Sequence, residues 1–287
     1  MRLKADLTLL LVAILWGSAF AAQRIAGELG SVFFFNGARF LLAGLILSAI
    51  SGLRAISRRQ WLWVSAAGTI LFLAGALQQA GLLTTTAGNA GFITSLYVVI
   101  VPFVMYVGWR ERPNWLAVVA VLLAAAGAFL LSTGGSLRVS AGDGLELAGA
   151  VFWAFHVVLV GRFASRFDAI SFSAGQLLVG SLLNFLAGLI FERSGMALTG
   201  PMLGAVLYTA VVSLGLGYTL QIWGQRHTPP TDAAILLSLE SVFAVLGAWL
   251  LLNERLSGIQ VAGCAVILLA VILSQIRGCG KIELEGR

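Results

Sequence analysis

Residues 78–85 read QQAGLLTT and residues 221–228 read QIWGQRHT, and the two stretches match when the chain is shifted by 143 residues. Without gaps, the same shift superimposes residues 71–130 on residues 214–273. The polar and small residues that coincide are Gln78 with Gln221, Gly81 with Gly224, Thr85 with Thr228, Ser95 with Ser238, and Glu111-Arg112 with Glu254-Arg255. Such matches at one fixed offset indicate an internal repeat.

An offset of 137 extends the repeat to the start of the chain. The residues that it pairs are Trp16 with Trp153, Phe35 with Phe172, Arg39 with Gln176, Leu41 with Leu178, and Leu45 with Leu182. The repeat therefore covers nearly the whole sequence, as two halves at residues 1–137 and 138–276 followed by a tail at 277–287.

Hydropathy places both halves in a membrane. Hydrophobic residues make up 59% of the 287 residues, charged residues only 10%, and the mean hydropathy is +0.97, which leaves too little polar surface for a soluble protein. Ten apolar stretches are each long enough to cross a bilayer as a helix. They lie near residues 6–26, 31–53, 61–83, 90–109, 115–132, 144–163, 170–190, 202–224, 232–252 and 259–276. We therefore expect an all-α integral membrane protein with ten transmembrane helices.

Five helices in each half give the repeats opposite orientations. After an odd number of crossings the second half enters the bilayer from the other face, so a pseudo-twofold axis in the membrane plane relates the two halves. Two inverted five-helix repeats are the architecture of alternating access, with the substrate site near the midplane at their interface.

The distribution of basic residues predicts the orientation. With the N-terminus inside, the inner loops and termini hold thirteen of the 18 Lys and Arg residues; Arg39 lies within a span, and the outer loops hold Arg24, Arg138, Arg193 and Arg255. If residues 281–287, which resemble an added remnant, are left out, the inner side still holds eleven Lys and Arg residues and the outer loops hold four. The positive-inside rule then predicts cytoplasmic N- and C-termini in a multi-pass protein of the bacterial inner (plasma) membrane.

The net charge of +6 does not indicate a nucleic-acid partner, because no basic run exceeds Arg58-Arg59. The first span also resembles a cleavable signal peptide, with Arg2 and Lys4 before an apolar run and an Ala19-Phe20-Ala21 site. We favour an uncleaved first helix because the apolar run has full span length and the repeat needs it.

Several short motifs, in this order and spacing, resemble a known group of proteins. They are Leu15-Trp16-Gly17, Arg39-Phe40-Leu41-Leu42, Ser238-Leu239-Glu240 and Asn253-Glu254-Arg255. The chain resembles the EamA-type ten-helix members of the drug/metabolite transporter superfamily up to about residue 276. Members typically carry proline after the glutamate of the ninth helix, where Ser241 stands here. The resemblance implies export of small metabolites such as amino acids, and the YddG-type amino-acid exporters are the subgroup that we name first.

Polar side chains at membrane depth are candidate site residues because they are costly there unless they face a partner or a wet cavity. Glu240, whose repeat counterpart is Tyr97, is expected to hold a substrate ammonium or to exchange a proton; a permanent interhelical hydrogen bond is the alternative. Gln78 and Gln221 are expected to form hydrogen bonds with a carboxylate or an amine of the substrate. A purely interhelical hydrogen bond is the alternative.

Aromatic residues complete the predicted substrate site. Trp16 and Trp153 are expected to converge on the cavity from opposite halves and to stack against an aromatic or apolar substrate, unless they only pack helix against helix. His156 follows Trp153 by three residues and shares its face, as Tyr218 shares that of Gln221. The full predicted set is Trp16, Phe20, Gln78, Tyr97, Trp153, His156, Tyr218, Gln221 and Glu240.

Three further residues are expected to have structural roles. Arg39 is expected to snorkel or to pair near the outer interface; attraction of an anionic group is the alternative. Ser95 and Ser238 precede Tyr97 and Glu240 by two residues and should point away from them.

The leading function is a secondary transporter that exports small metabolites, above all aromatic or apolar amino acids. A broad-specificity drug exporter and an intramembrane enzyme are the alternatives. Against an enzyme, the spans hold no GxSG motif, no HExxH motif and no pair of aspartates, and the only histidines are His156 and His227. The sequence also lacks the GxxxxGK[ST] loop of a nucleotide-driven pump. Neither Cys264 nor Cys279 belongs to a CxxC pair, so we expect no catalytic residue, metal or cofactor.

Overall fold

The computed structural model describes residues 1–29, 31–51, 56–133, 140–192, 195–252 and 257–278. Within these ranges the chain is almost entirely helical, without a strand, and eight helical segments are long and apolar enough to cross a membrane. Two shorter apolar helices, Trp115–Leu131 and Gly258–Leu273, bring the total to ten. The predicted all-α, ten-helix membrane fold is confirmed. Several predictions lie outside the described residues, namely those on Arg138, Arg193, Asn253, Glu254, Arg255 and residues 279–287.

Seven of the ten spans are single helices and three are interrupted. The helices are α1 (Arg2–Glu28), α2 (Phe33–Ser51), α3 (Arg58–Gly81), α4 (Ala87–Ser95), α5 (Tyr97–Trp109), α6 (Trp115–Thr133), α7 (Ala141–Phe163), α8 (Ala169–Phe191), α9 (Gly200–Tyr208), α10 (Gly217–Gln225), α11 (Pro230–Leu237), α12 (Glu240–Leu252) and α13 (Gly258–Gly278). The fourth span consists of α4 and α5, and the ninth of α11 and α12. In the eighth span a π-helical segment, Thr209–Leu216, joins α9 to α10.

Helix packing follows the pseudo-twofold relation of the two halves. The second and seventh spans, α2 and α8, pack on each other, as do the fifth and tenth, α6 and α13. The remaining contacts come in equivalent pairs: α1 packs on α10 and α12, and its counterpart α7 packs on α3 and on α4 with α5. The first and sixth spans are therefore central, and each contacts helices of the other half.

The interruptions of the fourth and ninth spans occupy matching positions. Around Leu96 and Leu239 the backbone forms tight i→i−3 hydrogen bonds, for example Val99 N to Leu96 O and Val242 N to Leu239 O, both 3.0 Å. Ser95 Oγ and Ser238 Oγ each donate to the carbonyl three residues earlier, at 2.7 Å. As expected, neither serine points to the face of Tyr97 or Glu240.

Ser241 takes part in the same interruption. Its Oγ donates to the carbonyl of Ser238 at 2.7 Å, and its backbone N–H donates to the same carbonyl at 3.2 Å, so Ser241 reinforces the tight turn at the break. The ninth span is broken here although a serine, and not a proline, follows Glu240.

The fourth and ninth spans start earlier than predicted, at Ala87 and Pro230 and not near residues 90 and 232. Asn89 and Asp232 therefore lie inside the first turns, and α4 is capped by Thr86, whose Oγ1 accepts from the backbone N–H of Asn89 at 3.1 Å. The Asp232 carboxylate binds Arg2 of the first half. This acidic side chain therefore joins the start of α11 to the start of α1.

Asp168 caps α8, and its Oδ1 accepts from both the backbone N–H and the hydroxyl of Ser171 at 2.9 Å. These hydrogen bonds hold the pKa of the Asp168 carboxyl below its ordinary value. Asp168→Ala is expected to cost about 1 kcal/mol of stability at pH 7. Because the folded pKa is the lower one, the contribution of the charge is present above the ordinary carboxyl pKa and disappears as the pH falls through the folded value.

Thermal unfolding in detergent between pH 7 and pH 3 checks this prediction. Asp168→Asn is the matched control, since asparagine also caps helices but does not titrate. The stability difference between the wild type and Asp168→Asn should shrink as the pH falls, and a difference that does not change with pH would contradict the role of the charge.

Gly17 allows α1 to approach the ninth span closely. A Cβ atom at this position would lie 2.4 Å from Phe243 Cβ and 2.5 Å from the carbonyl oxygen of Glu240. Gly17→Ala is therefore expected to destabilise the protein by about 1–3 kcal/mol through overpacking. Gly108→Ala is the control, because nothing lies within 4 Å of its added Cβ; equal melting temperatures of the two variants would contradict the close approach.

Candidate substrate-binding cavity

A cavity lies between the two halves, where the first and sixth spans meet the interrupted fourth, eighth and ninth spans. It contains about 530 Å³ of empty space, part of it open to the surroundings. The side chains that line it come from both halves: Trp16, Phe20, Gln23, Arg39, Phe40, Gln78, Thr94, Tyr97, Trp153, Val157, Ser213, Leu214, Tyr218, Gln221 and Glu240. Eight of the nine residues predicted from the sequence are among them.

Two indole rings and a phenol ring form the aromatic wall of the cavity. The ring centroids of Trp16 and Tyr218 are 5.1 Å apart, and those of Trp153 and Tyr218 are 6.5 Å apart. Tyr218 therefore lies between the two tryptophans that the repeat pairs. Phe20 and Phe40 add apolar surface to the same cavity. Rings arranged in this way can stack on a planar or apolar group of a ligand.

The equivalent tryptophans form different hydrogen bonds. Trp153 Nε1 donates to Gln78 Oε1 of the first half at 2.9 Å. The equivalent bond would join Trp16 to Gln221, but Trp16 Nε1 donates to the carbonyl of Ser213 at 3.0 Å. The buried amide of Gln221 has no hydrogen-bond partner at either its oxygen or its nitrogen. The cavity is therefore asymmetric although its sequence is repeated.

His156 is the one predicted site residue that does not line the cavity. It is fully buried, and its Nε2 forms a hydrogen bond of 2.9 Å with Gln176 Oε1. A spacing of three residues rotates a side chain by about 60° from its neighbour on the helix. His156 therefore reaches Gln176 of α8, and its ring packs edge-on against Trp153 and Tyr218, with centroids 6.3 Å and 5.5 Å away. It supports the aromatic wall of the cavity without lining the cavity itself.

Arg39 does not snorkel to an interface as expected. Its side chain is only 3% exposed, and its guanidinium lies 4.9 Å and 5.5 Å from the ring centres of Phe35 and Phe40. Nε donates to Asn36 Oδ1 at 2.9 Å, and no acidic side chain of the described residues forms an ion pair with it. This cation borders the cavity with its charge unpaired.

Glu240 is the acidic residue of the same cavity. It starts α12 at the break of the ninth span, is 3% exposed, and borders the same cavity as Arg39. Its Oε1 has no hydrogen-bond partner, and neither has the buried hydroxyl of Tyr97. A buried carboxyl without a cationic partner is costly in a membrane protein, so this group is available for a ligand cation or a proton.

Sequence reasoning missed Gln23 and Thr94, which also line the cavity, and Glu146, which lies next to it. Gln23 Oε1 accepts from Gln78 Nε2 at 3.4 Å, and Thr94 Oγ1 donates to Glu146 Oε2 at 3.1 Å. Gln23 and Glu146 were close to the predicted ends of their spans, where polar residues are ordinary. Their burial in the folded structure distinguishes Gln23 and Glu146 from ordinary polar residues at the ends of spans.

Two equivalent contacts between threonine and aspartate join the two halves. Thr228 Oγ1 donates to Asp6 Oδ1 at 2.7 Å, and Thr85 Oγ1 donates to Asp143 Oδ1 at 2.6 Å. Each joins one half to the other, and the repeat relates the two. No group of three or more potential metal ligands occurs among the described residues.

The sequence profile of the EamA-like transporter family matches residues 3–133 and again residues 140–275. The chain belongs to the EamA-like transporter family. It is therefore a multi-pass membrane transporter of small molecules and not an enzyme.

This EamA-like transporter has relatives in archaea, bacteria and plants. It is 34% identical to an uncharacterized transporter of Archaeoglobus fulgidus, over 96% of this chain and 87% of that protein. It is 28% identical to the uncharacterized inner membrane transporter YicL of Salmonella typhimurium, over 94% of each chain. A chloroplastic WAT1-related protein of Arabidopsis thaliana is 26% identical over 90% of this chain and 66% of the plant protein.

The fold of the EamA-like transporter is also found in a solved crystal structure. The two superpose with a TM-score of 0.79 at 21% sequence identity, over 96% of this chain and 98% of the other. At this identity the likeness concerns the fold alone.

Proposed function

We propose that this EamA-like transporter exports zwitterionic amino acids, preferentially aromatic or apolar ones, by alternating access to the central cavity. The observation that carries the proposal is the presence of a guanidinium without an acidic partner, Arg39, and a carboxyl without a cationic partner, Glu240, in one aromatic cavity. An amino acid has the complementary charges on its carboxylate and ammonium groups.

Each part of the cavity has a role in this proposal. Arg39 binds the carboxylate, because the guanidinium fork matches its two oxygens. Glu240 binds the ammonium, with the Tyr97 hydroxyl beside it. The rings of Trp16, Tyr218 and Trp153 surround the substrate side chain, and stacking on them favours aromatic side chains.

The asymmetry between the equivalent tryptophans supports alternating access. With the halves at residues 1–137 and 138–276, exchange of their roles would replace the Trp153–Gln78 hydrogen bond by one between Trp16 and Gln221. The unpaired amide of Gln221 is already in place to receive it. Two packings that differ in such an exchange are close in energy, as transport requires.

Opening of the cavity to one membrane face would break one of the two threonine–aspartate contacts and keep the other. Separation of Thr228 from Asp6 opens the end at which the chain starts, and separation of Thr85 from Asp143 opens the other. The positive-inside rule favours a cytoplasmic position for the first end, and hence cytoplasmic N- and C-termini in the inner membrane. The proposed productive direction is export.

A broad-specificity exporter of aromatic cations is the second candidate. The aromatic wall and Glu240 favour it, since a carboxylate and ring faces bind organic cations. The position of Arg39 distinguishes the two functions, because this cation would repel a ligand that carries only positive charge.

Flux assays with three related compounds test the proposal. Proteoliposomes would be given a labelled aromatic amino acid, the amine that lacks its carboxylate, and the acid that lacks its ammonium. Saturable flux of the amino acid, at least tenfold faster than that of either analogue, is expected. Preferred transport of the amine would favour the drug exporter, and flux equal to that of empty liposomes for all three would refute the proposal.

A further inference from the structure

Glu146 is a second buried carboxyl that the proposed substrate site does not use. It lies in the second turn of α7 and is 0% exposed. Its Oε2 accepts from Thr94, whereas Oε1 has no hydrogen-bond partner. None of the ion pairs among the described residues includes it. An ionised carboxylate is unfavourable in such surroundings, and a protonated one is not.

The repeat shows that packing does not require a carboxyl here. The position equivalent to Glu146 in the first half is Leu9. Leu9 fills the space beside Gly224, where its Cδ2 lies 2.9 Å from the place of an added Cβ. Glu146 fills the equivalent space beside Gly81, with its Cγ and Oε1 each 2.8 Å from such a Cβ. An apolar side chain of similar length fits the same packing, so the acid in the second half has another purpose.

Thr94 connects Glu146 to the cavity, because this threonine both lines the cavity and bonds Glu146. On the other side of Glu146 is Asp143, one turn earlier on α7 and nearly buried. The two Asp143 oxygens accept from Thr85 Oγ1 and from the backbone N–H of Ser140. A line of polar groups thus leads from the start of α7 through Glu146 to the cavity.

Few charged groups face Glu146 from the surrounding helices. Asp143 on α7 and Glu240 on α12 are both acidic and interact with it electrostatically. The cation on the same side is Arg24 of α1, which donates to the carbonyls of Leu82 and Thr85 and pairs with Glu28 at 3.3 Å. The neighbours of Glu146 on α3 and α4 are uncharged. No described cation neutralises it.

We propose that Glu146 is the proton-binding site that couples this transporter to the proton gradient. This inference rests on the proposed function and specifies its driving force. When the cavity opens toward the start of α7, Glu146 takes up a proton and becomes neutral. After the cavity opens to the opposite face, the proton leaves through Thr94 and the carboxylate reforms. One proton enters for each zwitterion exported, so one positive charge moves inward per cycle.

Gradient-driven accumulation in proteoliposomes tests this role. Both Glu146→Leu, which copies the residue of the other half, and Glu146→Gln are expected to lose at least tenfold in accumulation driven by an imposed pH gradient. Both should retain exchange of labelled for unlabelled amino acid, which needs no net proton movement. Glu111→Gln is the control, since that carboxyl is exposed and pairs with Arg162.

Three results would overturn the inference. One is pH-driven accumulation by Glu146→Leu equal to that of the wild type. Another is wild-type accumulation that follows a sodium gradient instead of a pH gradient. The third comes from carbodiimide labelling of the purified full chain, since this reagent reacts with buried protonated carboxyls. Mass spectrometry should find a label at Glu146 that decreases as the pH rises, and a site without such pH dependence is not a proton site.

Labelling needs no substrate, so it separates the two proposals. A wild-type protein that exchanges no amino acid but is labelled at Glu146 in a pH-dependent manner would refute the proposed substrate and keep the proton site. Exchange of amino acid without pH-dependent labelling at Glu146 would support the proposed substrate and refute the proton site.

Discussion

Replacing Arg39 with glutamine is expected to reduce transport of a zwitterionic amino acid roughly 10- to 100-fold, because a charge-assisted hydrogen bond contributes about 1.5–3 kcal/mol. The same change should leave transport of the corresponding amine unchanged or increase it, since Arg39 would no longer repel the cation. Initial rates in proteoliposomes, measured over a range of substrate concentrations for both compounds, provide the comparison.

Arg39→Lys is the matched control for this experiment. It keeps the positive charge but loses the two-point geometry of the guanidinium, so an intermediate rate is expected. A purely structural Arg39, held between Phe35 and Phe40, predicts a different pattern. In that case glutamine would reduce the transport of the amino acid and of the amine by the same factor, and the proposed carboxylate site would be rejected.

Trp16→Ala and Trp153→Ala are each expected to raise the KM for aromatic substrates at least tenfold, because loss of a buried tryptophan at a binding site costs about 2 kcal/mol or more. Small polar substrates should be affected much less, since they do not stack on the rings. Transport kinetics for an aromatic and a small amino acid in the same variants would measure this difference.

Phenylalanine replacements separate stacking from hydrogen bonding. Trp16→Phe and Trp153→Phe keep a ring but remove the Nε1 donor, which in Trp153 bonds Gln78. A substrate-stacking role predicts that both phenylalanine variants transport aromatic substrates much better than the alanine variants. Unchanged transport in the alanine variants would assign both indoles to packing between helices.

The sequence predicts the fold well because its signals are local and repeated. Each apolar stretch predicts a membrane-spanning helix by itself. The repeat then relates the stretches to each other, and its offset of 143 pairs Leu96 with Leu239. The breaks at these two residues were nevertheless not foreseen, since Ser95 and Ser238 look like ordinary residues within apolar helices. The helix break is a property of backbone hydrogen bonds, which hydropathy does not contain.

The site was predicted only in part, for a similar reason. Trp16, Trp153 and Gln78 stand out in the sequence because polar and large aromatic residues are rare at span centres, and all three line the cavity. His156 satisfies the same criterion but faces α8. Whether a side chain faces the cavity depends on helix rotation, which spacing along one helix determines only to within about 60°.

Glu146 and Arg39 show that the role of a residue cannot be predicted from its position within a predicted span alone. Glu146 is two residues inside the predicted sixth span, and Arg39 is eight residues inside the second, so ordinary interfacial roles were acceptable for both. Their burial without a described partner of opposite charge comes from the way that the two halves pack together. Packing between the two halves cannot be predicted from the sequence of a single helix.

Counterflow of a labelled aromatic amino acid tests the central claim most directly, namely that one cavity between two inverted halves serves both membrane faces in turn. Proteoliposomes loaded with unlabelled amino acid would be diluted into a trace of the labelled form. The predicted result is a transient accumulation of label above equilibrium, which Arg39→Gln abolishes. Equilibration without an overshoot, at a rate that does not saturate, would indicate an open channel and contradict alternating access.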